Sequence, residues 1–190
     1  MGGQGFGPCH GYVDDFDTFD PLSTADYWYA EGALPEPLPD PAVALTPIGG
    51  SYAGLFSDIS ALAENCFTSV AVEAAGDGSV FLEIVEGTGL GPKVILEHQA
   101  GVVAAIDIQD AMGMGVTVGT LPVSDLQGLR IQVVDDEMRF EVNDGGTWAD
   151  VGTLNPLPQW MAAPVNLSTG MSDPGASTAI IDDFNLDPPM

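Results

Sequence analysis

A chain of 190 residues with 45% apolar side chains can bury a core; this excludes a disordered acidic tail, and the length suits one β-sandwich domain. Its 28 acidic residues face only Lys93, Arg130 and Arg139, a net charge of −25, so no basic patch for nucleic acid or an anionic membrane can be assembled. No apolar run approaches the length of a transmembrane span.

With so few cations, most carboxylates must be solvated by water, screened by salt or bridged by a metal ion. The exterior reads as salt-adapted or calcium-binding, or as a surface charged simply for solubility. Cys9 and Cys66 are the only cysteines. An even count in a lysine-poor, glycine-rich chain points to an oxidising, extracellular compartment and to a Cys9–Cys66 disulfide. Two unpaired buried thiols are the alternative. The opening Met1-Gly-Gly-Gln-Gly has neither the basic nor the apolar segment of a signal peptide, so a secreted protein would carry this chain as a mature fragment.

In chain order, residues 1–11 are glycine-rich and read as an irregular arm. Residues 12–30 hold Tyr12-Val-Asp-Asp-Phe-Asp17 and the aromatic cluster Tyr27-Trp28-Tyr29. Five prolines between Pro35 and Pro47 forbid a helix over 31–50 and predict a long surface loop with edge-strand structure at most. Ser57–Glu64 could form a helical turn or two. Then Phe67–Ala74 and Val80–Glu86 alternate, with Asp77-Gly78 between them as a hairpin signal. Lys93–His98, Val102–Ile108 and Gly115–Gly119 follow as short strands. Leu129–Val134 and Met138–Val142 are joined through Asp135-Asp136-Glu137, and a turn at Asn143-Asp-Gly-Gly-Thr-Trp148 comes next. Val165–Gly170 and Ala179–Leu186 close the chain. About ten short strands bounded by turns, without a long amphipathic helix, mean a sandwich or barrel.

The opening Asp14-Asp15-Phe16-Asp17, the middle Leu129-Arg-Ile-Gln-Val133, the run Phe140-Glu-Val-Asn-Asp-Gly-Gly-Thr-Trp148 and the closing Ile181-Asp-Asp-Phe184 together resemble bacterial concanavalin A-like lectin/glucanase (laminin G-like) domains. The resemblance spans residues 12–187. It implies an all-β fold: a two-sheet antiparallel jelly-roll sandwich with its first and last strands adjacent. Functions on this fold range over lectins, adhesion modules, spacers and glycosidases.

Similar glucanases carry two glutamates and an aspartate in a Glu-x-Asp-x-x-Glu strand, which places nucleophile and acid on one face. The nearest segment here is Ala105-Ile-Asp107-Ile-Gln-Asp110, with alanine at the nucleophile position. Asp107 therefore reads as a strand-surface carboxylate, and no catalytic residue is assigned. His10 and His98 lie in no nucleophile or metal motif, and His98 reads as a structural polar residue.

The two Asp-Asp-Phe copies are the sharpest feature. If Phe16 and Phe184 point into the core, alternation turns Asp14 and Asp182 to one side and Asp15 and Asp183 outward. Paired terminal strands would bring like charges together, and calcium is the natural bridge. Related jelly-roll modules often hold calcium near these strands. The expected ligands are Asp14, Asp182, Asp17 and Asp183, with Asp20 as an extra candidate; solvated strand ends are the alternative. Sugar binding on such folds uses exposed aromatic platforms, here Trp28, Trp148 and Trp160, with Tyr27 and Tyr29 as further candidates. Against this, Trp28 could fill the core and Trp148 could pack on its own sheet. The expected function is a non-catalytic extracellular module binding carbohydrate or another cell-surface ligand. A structural or adhesive spacer is the alternative, and a polysaccharide hydrolase comes last.

Overall fold

The structure, a computed structural model, describes residues 6–17, 28–39, 42–48, 51–58, 60–87, 91–109, 114–172 and 177–185. Alternation of apolar and polar side chains along short runs yields β-strands, each with one face to bury. The strands are β1 (Gly7–Pro8), β2 (Trp28–Gly32), β3 (Glu36–Pro37), β4 (Val43–Leu45), β5 (Tyr52–Ser57), β6 (Cys66–Ala74), β7 (Ser79–Glu86) and β8 (Lys93–Gln99). They continue as β9 (Val102–Ile108), β10 (Gly115–Pro122), β11 (Leu126–Val134), β12 (Glu137–Asp144), β13 (Thr147–Leu154), β14 (Val165–Ser172) and β15 (Ala179–Asp182). One sheet runs β13-β12-β11-β6-β15-β4-β3, with β1 parallel against β6; the other runs β10-β9-β8-β7-β14-β5-β2. Among the described residues all other pairings between these strands are antiparallel, as expected for a jelly-roll sandwich. No helix among the described residues is long and apolar enough to cross a membrane.

Between the sheets, Leu82, Ile84, Leu96 and Leu167 of one layer meet Leu129, Ile131 and Phe140 of the other, all buried. Each such side chain contributes roughly 1.5–3 kcal/mol.

Three local expectations are corrected. Residues 31–50 are not only a surface loop: Val43–Leu45 is a buried strand between β15 and β3. The prolines flank it and leave its N–H groups free to pair. Ser57 ends β5, and the described part of 57–64 holds no helix; Ala61 instead makes an antiparallel bridge to Val165. Asp77-Gly78 does not close a hairpin. β6 pairs with β11 and β15, whereas β7 pairs with β8 and β14, so the chain crosses from one sheet to the other at this turn. A turn dipeptide specifies a reversal, not the partner of the strand that follows. By contrast, β11 and β12 do form a hairpin through Asp135-Asp136, and β12 and β13 another through Gly145-Gly146, both glycines at positive φ.

The chain termini lock together. Asp14 and Phe184 form an antiparallel bridge, with N–H to carbonyl distances of 2.9 and 2.8 Å. Asn185, buried at φ +58, completes the joint. Its Oδ1 accepts the Ser69 N–H at 2.9 Å, its Nδ2 donates to the Tyr12 carbonyl at 3.0 Å, and its own N–H donates to the Ser69 carbonyl at 2.9 Å. Its side chain thus does the work of a strand for the backbone of β6. We expect Asn185→Ala to cost about 2–3 kcal/mol in urea unfolding, because it leaves the buried Ser69 N–H and the partly buried Tyr12 carbonyl unpaired. Asn185→Asp, which keeps the acceptor and loses the donor, should also destabilise.

Candidate functional site

The terminal carboxylates are arranged differently from the expected metal set. Phe16 and Phe184 are both buried, as assumed. Phe16 and Asp183, however, have positive φ, 56° and 45°, which breaks the alternation in both copies. Asp14 is spent on hydrogen bonds: Tyr12 Oη donates to Oδ2 at 2.5 Å, Trp28 Nε1 to Oδ2 at 3.1 Å, and the Phe16 N–H to Oδ1 at 2.8 Å. These three donors make it a structural anchor at this joint. Asp17 is exposed, and its N–H donates to Asp15 Oδ1 at 3.2 Å. Asp20 lies outside the described residues. Among the described residues, no three Asp, Glu, His or Cys side chains are gathered to hold an ion.

Instead, Asp15 stands beside Asp182 and Asp183. Burial raises the Asp182 carboxyl from 3.8 to about 6; the donated N–H of Asp183, 2.7 Å from Oδ1, opposes this, and the charges of Asp183, Glu73 and Asp15 reinforce it. Asp183 is raised too, by burial and by Asp15. Below about pH 6 the folded chain holds a proton on Asp182 that the unfolded chain releases down to 3.8. This group's contribution to stability therefore rises as pH falls through that window and is unfavourable in full above it. Asp182→Asn keeps the acceptor and removes the charge. It should stabilise the protein at pH 7.5 by on the order of 1 kcal/mol or less after solvent screening, with no gain near pH 3.5, as read by thermal melts.

The aromatic candidates separate. Trp28 is 3% exposed, stacked edge-on against Phe184 at 4.5 Å between ring centroids and bonded to Asp14. It is corrected from platform to core residue: β2 turns its ring inward. Tyr29, its neighbour on the opposite face of β2, is exposed and packs on Phe56; Tyr27 lies outside the described residues. Trp148 is half-buried on its own sheet, with the Arg130 guanidinium 4.1 Å from its ring centre. Arg130 is itself paired with Glu141 at 2.8 Å. Trp160 is half-buried against the core on a 3-10 turn, Gln159–Ala162.

That turn borders a trough the sequence reading missed. Two adjoining clefts share Glu64 and Asn65. The first, of about 440 Å³, is lined by Gly7, Pro8, His10 and Gly11 of the arm together with Leu62 and Cys66. The second, of about 320 Å³, lies between Asp135-Asp136 of the β11–β12 turn and Leu157, Pro158 and Gln159. Asn65 Oδ1 accepts the Asp135 N–H at 3.1 Å and so ties the two walls. The charged lining side chains are Glu64, Asp135 and Asp136, all exposed. His10 is held below its ordinary pKa by burial, against hydrogen bonds to the backbone of Val165 and Ala61 that favour its charged form. The three cations lie elsewhere, paired as Lys93–Glu83, Arg130–Glu141 and Arg139–Glu137. The trough thus offers carboxylates and amides to hydroxyl groups, beside the apolar Leu62, Leu157 and Pro158.

No family model matches the sequence, and no curated protein resembles it closely enough in sequence to count as a relative. Solved structures do match the fold. A legume lectin-like domain from Entamoeba histolytica superposes with a TM-score of 0.61 at 13% identity, over 83% of this chain and 88% of that one. A Bacillus licheniformis β-glucanase gives 0.63 at 12% identity, over 91% and 95%. The carbohydrate-binding module CBM66 from Bacillus subtilis gives 0.55 at 11% identity, over 85% and 96%. This chain has the concanavalin A-like jelly-roll fold.

On this concanavalin A-like sandwich residues 105–108 end strand β9. Val103, Ala105 and Asp107 alternate onto the core face of β9, with Ala105 fully buried and Asp107 3% exposed. Asp107 is thereby corrected from a surface carboxylate to a buried one. Gln109 Nε2 donates to its Oδ2 at 2.8 Å, and its Oδ1 has no hydrogen-bond partner. Asp110 lies outside the described residues. His98 is partly buried on β8, and burial lowers its pKa.

Proposed function

We propose that this chain is a non-catalytic, extracellular carbohydrate-binding module that takes glycan in the trough around Glu64 and Asn65. The observation that carries this reading is the trough: two neighbouring clefts of about 440 and 320 Å³ that share Glu64 and Asn65 in their walls, lined by hydrogen-bond acceptors and apolar side chains. Their shared wall is pinned by the Asn65–Asp135 bond, so little ordering is needed on binding. Lectin and carbohydrate-binding modules among the fold neighbours favour a sugar ligand, and the Cys9–Cys66 disulfide favours an oxidising compartment. With acidic side chains as its charged lining, the trough disfavours uronates and sulfated glycans and favours neutral or amino sugars. Ala105 and the core-facing Asp107 support the non-catalytic reading.

Glycan-array screening followed by calorimetry tests it. Gln159→Ala and Glu64→Gln should each weaken the best neutral oligosaccharide by about tenfold, the loss of one or two hydrogen bonds. The same oligosaccharide should show no release of reducing ends. Loss of binding in Trp148→Ala, with Gln159→Ala unaffected, would move the site to the outer face of the other end of the sandwich. Absence of any glycan binding would favour a spacer role.

Calcium is a separate proposal, resting on Asp15, Asp182 and Asp183, whose charges repel. They would have to draw together around the ion. Equal melting midpoints in calcium and in EDTA at matched ionic strength would remove it.

A further inference from the structure

We propose that residues 6–11 are a disulfide-latched strap, so that the 440 Å³ cleft is complete only when Cys9 and Cys66 are oxidised. This inference gives the regulation of the trough and rests, for its ligand, on the carbohydrate-binding reading.

The strap forms one whole wall of the cleft, through Gly7, Pro8, His10 and Gly11. It is fastened unequally at its two ends. Past Gly11 the chain is rigidly seated: Tyr12 bonds to Asp14 and to Asn185, and Asp14 bridges to Phe184. Before Gly11 the noncovalent fastenings among the described residues include the two-residue parallel bridge Gly7–Cys66 and Pro8–Phe67, the Phe6–Phe67 ring contact at 5.8 Å, the His10 bonds to the backbone of Val165 and Ala61, and the buried Cys9 side chain. Between these regions sits a pair of residues at positive φ, His10 at 60° and Gly11 at 64°, and a Cβ at Gly11 would meet nothing within 4 Å. A hinge there is unobstructed. The covalent link from Cys9 to Cys66 is what holds the strap down.

Both cysteines are buried, Cys9 fully and Cys66 at 6% exposure, and only Cys66 lines the cleft, so it is the one a reductant entering there would meet. A dithiol reductant would attack Cys66 Sγ as thiolate, forming a mixed disulfide and releasing Cys9 as thiolate. The reductant's second thiol then displaces Cys66, so the reductant ends as a disulfide and the protein as two thiols, with two electrons and two protons gained. The strap is then free to swing about Gly11. The sandwich persists, since its core is built between the two sheets and Cys9 is the strap's one buried side chain among the described residues.

Hydrogen exchange of the protein with and without dithiothreitol, alongside far-UV circular dichroism, tests the latch. At labelling times too short for β7 and β14 to exchange in either redox state, exchange over residues 6–12 should accelerate at least tenfold on reduction; Cys9→Ser/Cys66→Ser should match the reduced protein. Unchanged exchange at 6–12, or acceleration spread evenly over the sandwich, would overturn the strap. Cello-, manno- and chitohexaose are then titrated into both redox states. Binding at least tenfold weaker after reduction supports control of the trough, and equal affinities overturn it. If none of the three binds the oxidised protein while 6–12 responds as stated, the strap stands and the carbohydrate reading fails.

Discussion

Gly119→Ala is expected to cost about 3 kcal/mol or more, a drop of roughly 6–12 °C in Tm for a chain of this size. β10 and β13 are edge strands of opposite sheets, and they meet backbone to backbone where Gly119 faces Val151 and Gly152. A Cβ at 119 would lie inside the van der Waals shell of the Val151 carbonyl oxygen, and another at 152 would press on Gly119. Nothing at the clash is a flexible side-chain end, so a strand must move. Moving it would open the closed side of the sandwich over Val151, which is buried. Gly11→Ala is the control: its surroundings are empty, so only the positive φ is penalised, about 1 kcal/mol. Urea unfolding of both variants decides the matter. Equal, small losses would show that the two edges are not in contact.

Loss of the disulfide should have an effect at least as large. Cys9 and Cys66 are joined at a sequence separation of 57, and closing a loop of that length removes unfolded-state entropy worth about 4 kcal/mol if the native geometry is unstrained. Cys9→Ser/Cys66→Ser should therefore lower the urea midpoint strongly and raise the slope, because the unfolded chain becomes less compact. The unreduced protein, unfolded in guanidinium, should titrate no free thiol. Two thiols per chain would refute the link. A native state that survives in the serine variant, with the strap alone released, separates this global loss from local opening of the cleft.

Much of the architecture was legible in the residues. Period-2 runs such as Val80–Glu86 and Leu129–Val134 can bury one face only as strands, and the paired turns at Asp135-Asp136 and Gly145-Gly146 close the hairpins they announce. The Asp-Asp-Phe copies correctly brought the termini together. Their side-chain directions were not legible, because Phe16 and Asp183 leave the extended region and alternation stops at such residues. Val43–Leu45 was hidden for the opposite reason: three residues between prolines are too short to show a period. The trough was invisible because its walls come from three separated segments, the arm, residues 61–66 and residues 135–162, none with a pattern of its own.

The sequence by itself determined the all-β class, the anionic exterior, the absence of a basic interface and the two cysteines available for one link. Each follows from composition or local periodicity, which need no knowledge of partners. Tertiary structure decided that Asp77-Gly78 crosses between sheets, that the buried Trp28 is anchored by the half-buried Asp14, and that Asp107 faces the core. Those outcomes depend on which strand lies beside which. That choice is made by burial and backbone pairing between residues distant in the chain, and a local pattern carries no record of it.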